Sequence, residues 1–289
     1  MKTAMKLRGW AVMCCIVLAF SLVMHANDGA KHPFFFFVIT DVQLGMFEHD
    51  QDLTRESNNL EQLVAAANRL HPAFIVNCGD IVNKAGNSDQ IQRYKAIMAK
   101  LDPKIPVYNV PGNHDVKNQP TPESIAAYRR TFGRDYYTFE YQGFVGIVLD
   151  TSLIMDSALV PREAEEQSKW LEKALADARK RTGGEVVVFQ HTPWFLKEAD
   201  EDDNYSNMPK SLRGQYLEQL NKAHVRTVFA GHLHDNSLGS AKGIEMRTVG
   251  PLGKPLGKAQ SGFGVVVVEG ENLKFTYFPI SAPPAEPPM

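Results

Sequence analysis

The chain has 289 residues, 44% of them hydrophobic and 22% charged, with 31 basic against 33 acidic side chains. That balance offers no electrostatic footprint for nucleic acid, and no repeat of solenoid length runs through the sequence. Once a leader is set aside, about 260 residues of alternating strand and helix patterns fit one large domain rather than two.

At the N-terminus Lys2, Lys6 and Arg8 precede a mostly apolar stretch over residues 10–24, and small or polar residues follow from Ala26. This is the order of a secretory signal peptide. It would occupy residues 1–26 and send the mature protein to the periplasm or outside the cell. The apolar stretch falls short of the roughly 20 residues a spanning helix needs, which disfavours an uncleaved anchor and a stable membrane partner. Cys14 and Cys15 lie inside that stretch and do not form a lipoprotein box. Removing the three basic residues from 31 leaves 28 against 33 acidic ones, and Cys78 remains as the only cysteine. The mature chain therefore has no internal disulfide.

Residues 34–40 are a run of β-formers that ends at Asp41-Val42-Gln43. Residues 54–70 and 88–101 carry apolar side chains at the three-to-four spacing of a one-sided helix. Between them, residues 73–78 read as a strand leading into Gly79-Asp80-Ile81-Val82-Asn83, with Cys78 as a small buried residue at its end. Residues 107–110 make a third strand before Gly112-Asn113-His114-Asp115. Strand, helix, strand, helix, strand implies parallel pairing with right-handed crossovers. Further on, residues 186–190 lead into His191, and residues 227–230 into Gly231-His232-Leu233-His234. Five strands thus deliver Asp, Asn and His side chains to one edge, the carboxyl end at which open α/β sheets bind ligands. In this order the five motifs read as a two-metal phosphoesterase site.

On these motifs the chain resembles the calcineurin-like metallophosphoesterases over residues 33–279. The resemblance implies an α/β fold, a four-layer sandwich of two mixed β-sheets flanked by helices, and a metal-dependent phosphoester hydrolase with two divalent metal ions. Most members carry Asp-x-His at the first motif, where this chain has Gln43. It is similar to a subgroup with Asp-x-Gln followed by Gly, as in Asp41-Val42-Gln43-Leu44-Gly45, some of which are protein Ser/Thr phosphatases.

By the same resemblance Asp80 bridges two ions roughly 3.5–4 Å apart, between which a hydroxide can be aimed in line at phosphorus. Asp41, Gln43 and His234 would join it at the first ion, and Asn113, His191 and His232 at the second. Oxygen ligands with imidazole suit Mn, Fe or Zn better than Ca. The carboxamide of Gln43 is a weaker donor than imidazole, so the first position should bind less tightly, being filled only at high metal supply or favouring manganese or magnesium; alternatively Gln43 does not touch the metal and holds a water in its place. His114 would protonate the leaving alkoxide, with Asp115 orienting its ring. Lys84 stands where related Ser/Thr phosphatases carry a phosphate-binding Arg, although a lysine lacks the bidentate fork and a solvated turn reads equally well.

Trp194 and Phe195 follow His191-Thr192-Pro193 and are expected to line the cleft mouth, since loops at this edge should surround the metals, although packing against the scaffold reads equally well. The acidic run over residues 198–203 reads as a solvated charge run. The Gly- and Lys-rich segment 250–258 reads as a connecting loop, and the Pro-rich tail 280–289 as disordered or draped. His49 is an exposed loop residue, and His32, His71 and His224 fall outside every motif. Hydrolysis of a phosphomonoester, from a phosphoprotein or a small molecule, is the first functional reading, and a phosphodiesterase the second. A non-catalytic binding module is disfavoured because both His114 and Asp80 are kept. A purple acid phosphatase is disfavoured because Asn83 stands where that family places a metal-binding Tyr.

Overall fold

Six consecutive β-formers make the first strand, β1 (Phe34–Ile39), and both of its faces are buried. A computed structural model describes residues 32–180 and 185–288, so the signal-peptide region 1–26 lies outside the described residues. In chain order β1 is followed by α1 (Thr54–Leu70), β2 (Ile75–Asn77), α2 (Ser88–Met98), β3 (Val107–Asn109), α3 (Asn113–Val116) and α4 (Pro122–Phe132). Then come β4 (Tyr137–Tyr141), β5 (Phe144–Val148), α5 (Thr151–Met155), α6 (Pro161–Arg179), β6 (Val186–Phe189) and α7 (Lys210–Lys222). The chain closes with β7 (Thr227–Ala230), β8 (Ser237–Ala241), β9 (Ile244–Thr248), β10 (Gly262–Glu269) and β11 (Asn272–Pro279).

Two mixed sheets result. The first runs β11-β10-β1-β2-β3, with β1, β2 and β3 parallel and β10 and β11 antiparallel. The second runs β4-β5-β6-β7-β9-β8, parallel from β5 to β9 and edged by antiparallel β4 and β8.

The period of two along β1 sorts its side chains between layers. Phe35, Phe37 and Ile39 pack with Leu60, Leu63 and Ala67 of α1 and with Tyr94 and Ile97 of α2. Phe34, Phe36 and Val38 face the other way and join Phe144, Phe189 and Phe229 of the second sheet. On the far side, Val186, Val188 and Val228 are covered by Leu171 and Leu175 of α6 and by Leu217 and Leu220 of α7. The layers are therefore helix, sheet, sheet, helix, as the motif resemblance implies. Rings lock the middle: Phe36 stacks on Phe74 at 4.6 Å and Phe189 on Phe229 at 5.7 Å between centroids.

Two predicted elements are shorter by three residues each than the sequence pattern suggests. The second helix stops at Met98, and Leu101 packs beneath it from the following turn. The second strand keeps only Ile75–Asn77 in its ladder. In the tail, the Arg69 guanidinium donates to the carbonyls of Pro284 and Ala285, so this part is draped on α1. No described helix is long and apolar enough to cross a membrane.

Candidate metal centre

Asp41, Asp80, Asn113, His191 and His232 all lie just past the carboxyl ends of parallel strands, three from the first sheet and two from the second. The two sheet edges meet there. The loops are tight: Asp41 (φ 50°), Gln43 (φ 42°), Asp80 (φ 54°), His232 (φ 69°) and His234 (φ 56°) all adopt left-handed backbone. Side chains take this conformation at a cost of about 1–3 kcal/mol each, and such strain clusters at functional sites. Two glycines let the loops touch. A Cβ on Gly112 would strike the Asp80 carboxylate and backbone nitrogen, and one on Gly231 would strike the Thr40 hydroxyl and the Asp41 carboxylate.

The potential ligand atoms form two buried groups. Asp80, His191 and His232 offer atoms all within 4.8 Å of one another, and so do Asp41, Asp80 and His234. Asp80 belongs to both. Asn113 joins the first group, with Oδ1 3.0 Å from His191 Nε2, which is also 3.2 Å from Asp80 Oδ2. Gln43 is buried, its Nε2 donates weakly to Asn83 Oδ1 at 3.4 Å, and its Oε1 has no hydrogen-bond partner among the described residues. A buried acceptor left bare is costly, and a cation satisfies it.

Each imidazole is held by one ring nitrogen on a backbone carbonyl, which leaves the other for the ligand cluster. A backbone carbonyl can only accept, so the nitrogen beside it must carry the proton. His191 Nδ1 donates to the Cys78 carbonyl (2.8 Å), His232 Nε2 to that of Tyr205 (2.8 Å) and His234 Nδ1 to that of Lys254 (2.7 Å). This is the outer support that orients metal-binding histidines. The donor set therefore fits two divalent ions, with carboxylate, carboxamide and imidazole atoms that suit Mn, Fe or Zn.

The electrostatics agree. Burial opposes the Asp80 charge, but the His191 ring, with His114 and His232 beyond it, outweighs burial and holds the carboxyl well below the usual carboxylate range. Burial likewise opposes an imidazolium at His191, yet the Asp80 carboxylate lifts it to about 9. For His232, burial and then the His191 charge win, and it falls to about 4. The cluster thus concentrates a demand for positive charge around Asp80.

Two expectations for site residues are corrected by this geometry. Asp115 does not orient His114: its carboxyl accepts the backbone N–H groups of Ile81, Val82 and Gly112, tying two motifs together. Burial and the neighbouring Asp80 push it up to about 8. The ring of His114 is held instead by the Asn83 carbonyl, 2.6 Å from Nδ1. Trp194 does not line the cleft. It is fully buried, stacked on Tyr216 at 4.7 Å in the core under α6 and α7, because a ring of that size gains most by leaving water. Lys84, by contrast, is exposed on a pocket that it shares with Asn113 and His114.

The acidic run is not merely solvated. Glu201 accepts from the backbone of Leu196, Lys197 and Glu198, and Asp203 pairs with the buried Arg213, whose guanidinium also donates to the carbonyls of Met208, Ala199 and Glu201. This loop carries Tyr205, which sequence reasoning missed. Its ring lies 4.8 Å from that of His232, and its hydroxyl accepts from Asn113 Nδ2 at 3.3 Å. A lone aromatic within Asn204-Tyr205-Ser206-Asn207 was the readable cue. Nor is segment 250–258 a plain connection: Leu252 and Gly253 donate to the carbonyls of Thr40 and Asp41, and Lys254 holds His234.

A family profile for calcineurin-like phosphoesterases matches residues 36–236. The chain belongs to that family. It is 35% identical to the serine/threonine-protein phosphatase CPPED1 of Bos taurus over 263 residues, covering 86% of this chain and 84% of the relative. With the Homo sapiens protein of the same name the identity is 33% over 264 residues, with coverage of 86% and 84%. A solved dimetal phosphatase from Danio rerio superposes with a TM-score of 0.61 at 18% identity, over 84% of this chain and 95% of that one, and so shares the fold. As a calcineurin-like phosphoesterase the chain is a metal-dependent phosphoester hydrolase that works with two divalent metal ions.

Proposed function

We propose that the chain removes phosphate from phosphoserine or phosphothreonine in proteins, the substrate class named for its CPPED1 relatives. The observation that carries this reading is Asp80, a single buried carboxylate common to two metal-ligand groups. Asp41, Gln43, Asp80 and His234 would hold one ion, and Asp80, Asn113, His191 and His232 the other. When bound, the ions supply Lewis-acid polarisation of the phosphoryl group and a water of lowered pKa.

The chain's own residues do the rest. Asp80 also accepts the backbone N–H of His114 at 2.8 Å, which keeps the acid and the ligands in one register. His114 donates Nδ1–H to the Asn83 carbonyl and, as the imidazolium, would give its Nε2 proton to the departing oxygen, a contribution of roughly 10² to 10⁴ in rate. Lys84 meets a phosphate oxygen as a point charge. Gln43, a neutral oxygen donor, suits manganese in the first position. We also propose export through cleavage after the signal region 1–26, with no stable membrane partner; N-terminal sequencing of the secreted protein tests this.

Hydrolysis of p-nitrophenyl phosphate and bis-(p-nitrophenyl) phosphate, titrated with Mn and with a chelator, tests the activity. Preference for the monoester, abolished by the chelator, is expected. Preference for the diester would replace this reading with a phosphodiesterase.

A further inference from the structure

We propose that the pocket beside His114 is a second anion subsite, which takes a negatively charged group on the alcohol side of the phosphomonoester; this rests on the phosphomonoesterase reading above. The pocket has a volume of about 290 Å³ and is lined by Asn83, Lys84, Asn113, His114, Lys117 and Asn118. Its wall thus holds two ammonium groups, an imidazole and three carboxamides, and no carboxylate. His114 fixes which part of the substrate enters. An acid must stand against the departing oxygen, so whatever is esterified through that oxygen lies in the space beyond the ring. With Lys84 on the phosphate being transferred, an uncharged alcohol gains nothing from the second lysine, Lys117, whereas a carboxylate or a second phosphate does.

Lys117 carries the argument furthest. Its backbone sits at φ 79°, ψ 154°, a region nearly reserved for glycine. A lysine held there, on the rim of an active cleft, is a strained residue of the kind that collects at ligand sites. Neither ammonium makes a hydrogen bond or ion pair among the described residues. Glu123, whose carboxyl is held low first by its own backbone N–H and by Thr121, feels Lys117 only as a smaller contribution. Asn113 Nδ2 donates to the Tyr205 hydroxyl, so the pocket wall is tied to the loop whose carbonyl orients His232.

The test uses the metal-loaded full chain and paired ligands that differ in one charge. Phosphoserine peptides flanked by Glu are compared with the same peptides flanked by Gln, as substrates and, in non-hydrolysable phosphonate form, by fluorescence anisotropy. A second arm compares propane-1,3-diol bisphosphate with its monophosphate, and p-nitrophenyl phosphate reports the underlying phosphomonoesterase reading. The expected result is a preference of about tenfold for the doubly charged member in at least one arm, falling as salt screens it. Lys117→Gln should shrink that preference to near one, and Lys117→Arg should keep it. Lys117→Gly suits the backbone, so it should lose the preference without lowering the melting temperature. Equal affinity within both pairs, or a preference that survives Lys117→Gln, overturns the subsite while p-nitrophenyl phosphate turnover leaves the phosphomonoesterase reading standing. No turnover of p-nitrophenyl phosphate, with the anisotropy preference intact and lost in Lys117→Gln, overturns that reading and keeps the subsite.

Discussion

The two halves of the candidate metal centre are built differently. Asp41, Gln43 and His234 all stand on left-handed backbone, and one of the three is a neutral amide with a bare buried oxygen. In the other half only His232 is left-handed; Asn113 opens α3 and His191 follows β6 in ordinary conformation. That half is braced from several sides, by the Cys78 and Tyr205 carbonyls on its rings and by the Tyr205 hydroxyl on Asn113. Behind it Thr151 accepts the backbone N–H of Thr192, next to His191. Preorganised ligands release more of their binding energy to the metal, so the Asn113, His191 and His232 half should be the tighter one and the Gln43 half the one that responds to metal supply.

The strongest way to break this contrast is Asp80→Asn. The shared carboxylate serves both halves, so metal content by mass spectrometry should fall in both, with turnover lower by about 10³ or more. Retention of one full equivalent would show that Asp80 serves one half alone. His114→Ala should leave both ions in place and lower turnover of alkoxide esters by roughly 10² to 10⁴; an equal loss of metal would make His114 part of the centre itself. Gln43→His sharpens the contrast, because an imidazole should tighten the weaker half by about tenfold, read by chelator competition. Unchanged affinity would mean that Gln43 touches no ion.

The smallest effect concerns the bracing behind His191. Asp150 caps α5 through the N–H groups of Ser152 and Leu153, and burial, with the nearby Asp135, pushes its carboxyl from 3.8 up to about 7. A folded-state value above the unfolded one means stability that is present below about pH 4 and is lost as pH rises toward 7. Asp150→Asn keeps the cap and cannot titrate. Between pH 4 and 7 the wild-type melting temperature should therefore fall by a few degrees more than that of the variant, and parallel curves would show that Asp150 stays charged.

What was legible in the sequence follows from which chemical groups do the work. Asp41, Asp80, Asn113, His191, His232 and His234 act through side chains of the ligand type, placed directly after strands, and both facts are written in the residue string. The groups that orient them are main-chain carbonyls of Cys78, Asn83, Tyr205 and Lys254, which any residue could supply. Hence the loops 196–208 and 250–258 looked like solvated or connecting chain. Asp115 was misread for the same reason, since its partners are backbone N–H groups. Trp194 could line a cleft or fill a core with equal chemistry, and only the packing of α7 decides for the core. Strands β4, β5 and β8 to β11 carry no motif, and short apolar runs do not separate strand from buried helix.

Anomalous diffraction from crystals of the manganese-loaded protein tests the central claim most directly. Two ions are expected, with Asp80 bound to both, Gln43 and His234 at one and Asn113, His191 and His232 at the other. A single ion, or two ions with Asp80 bound to only one, would contradict it.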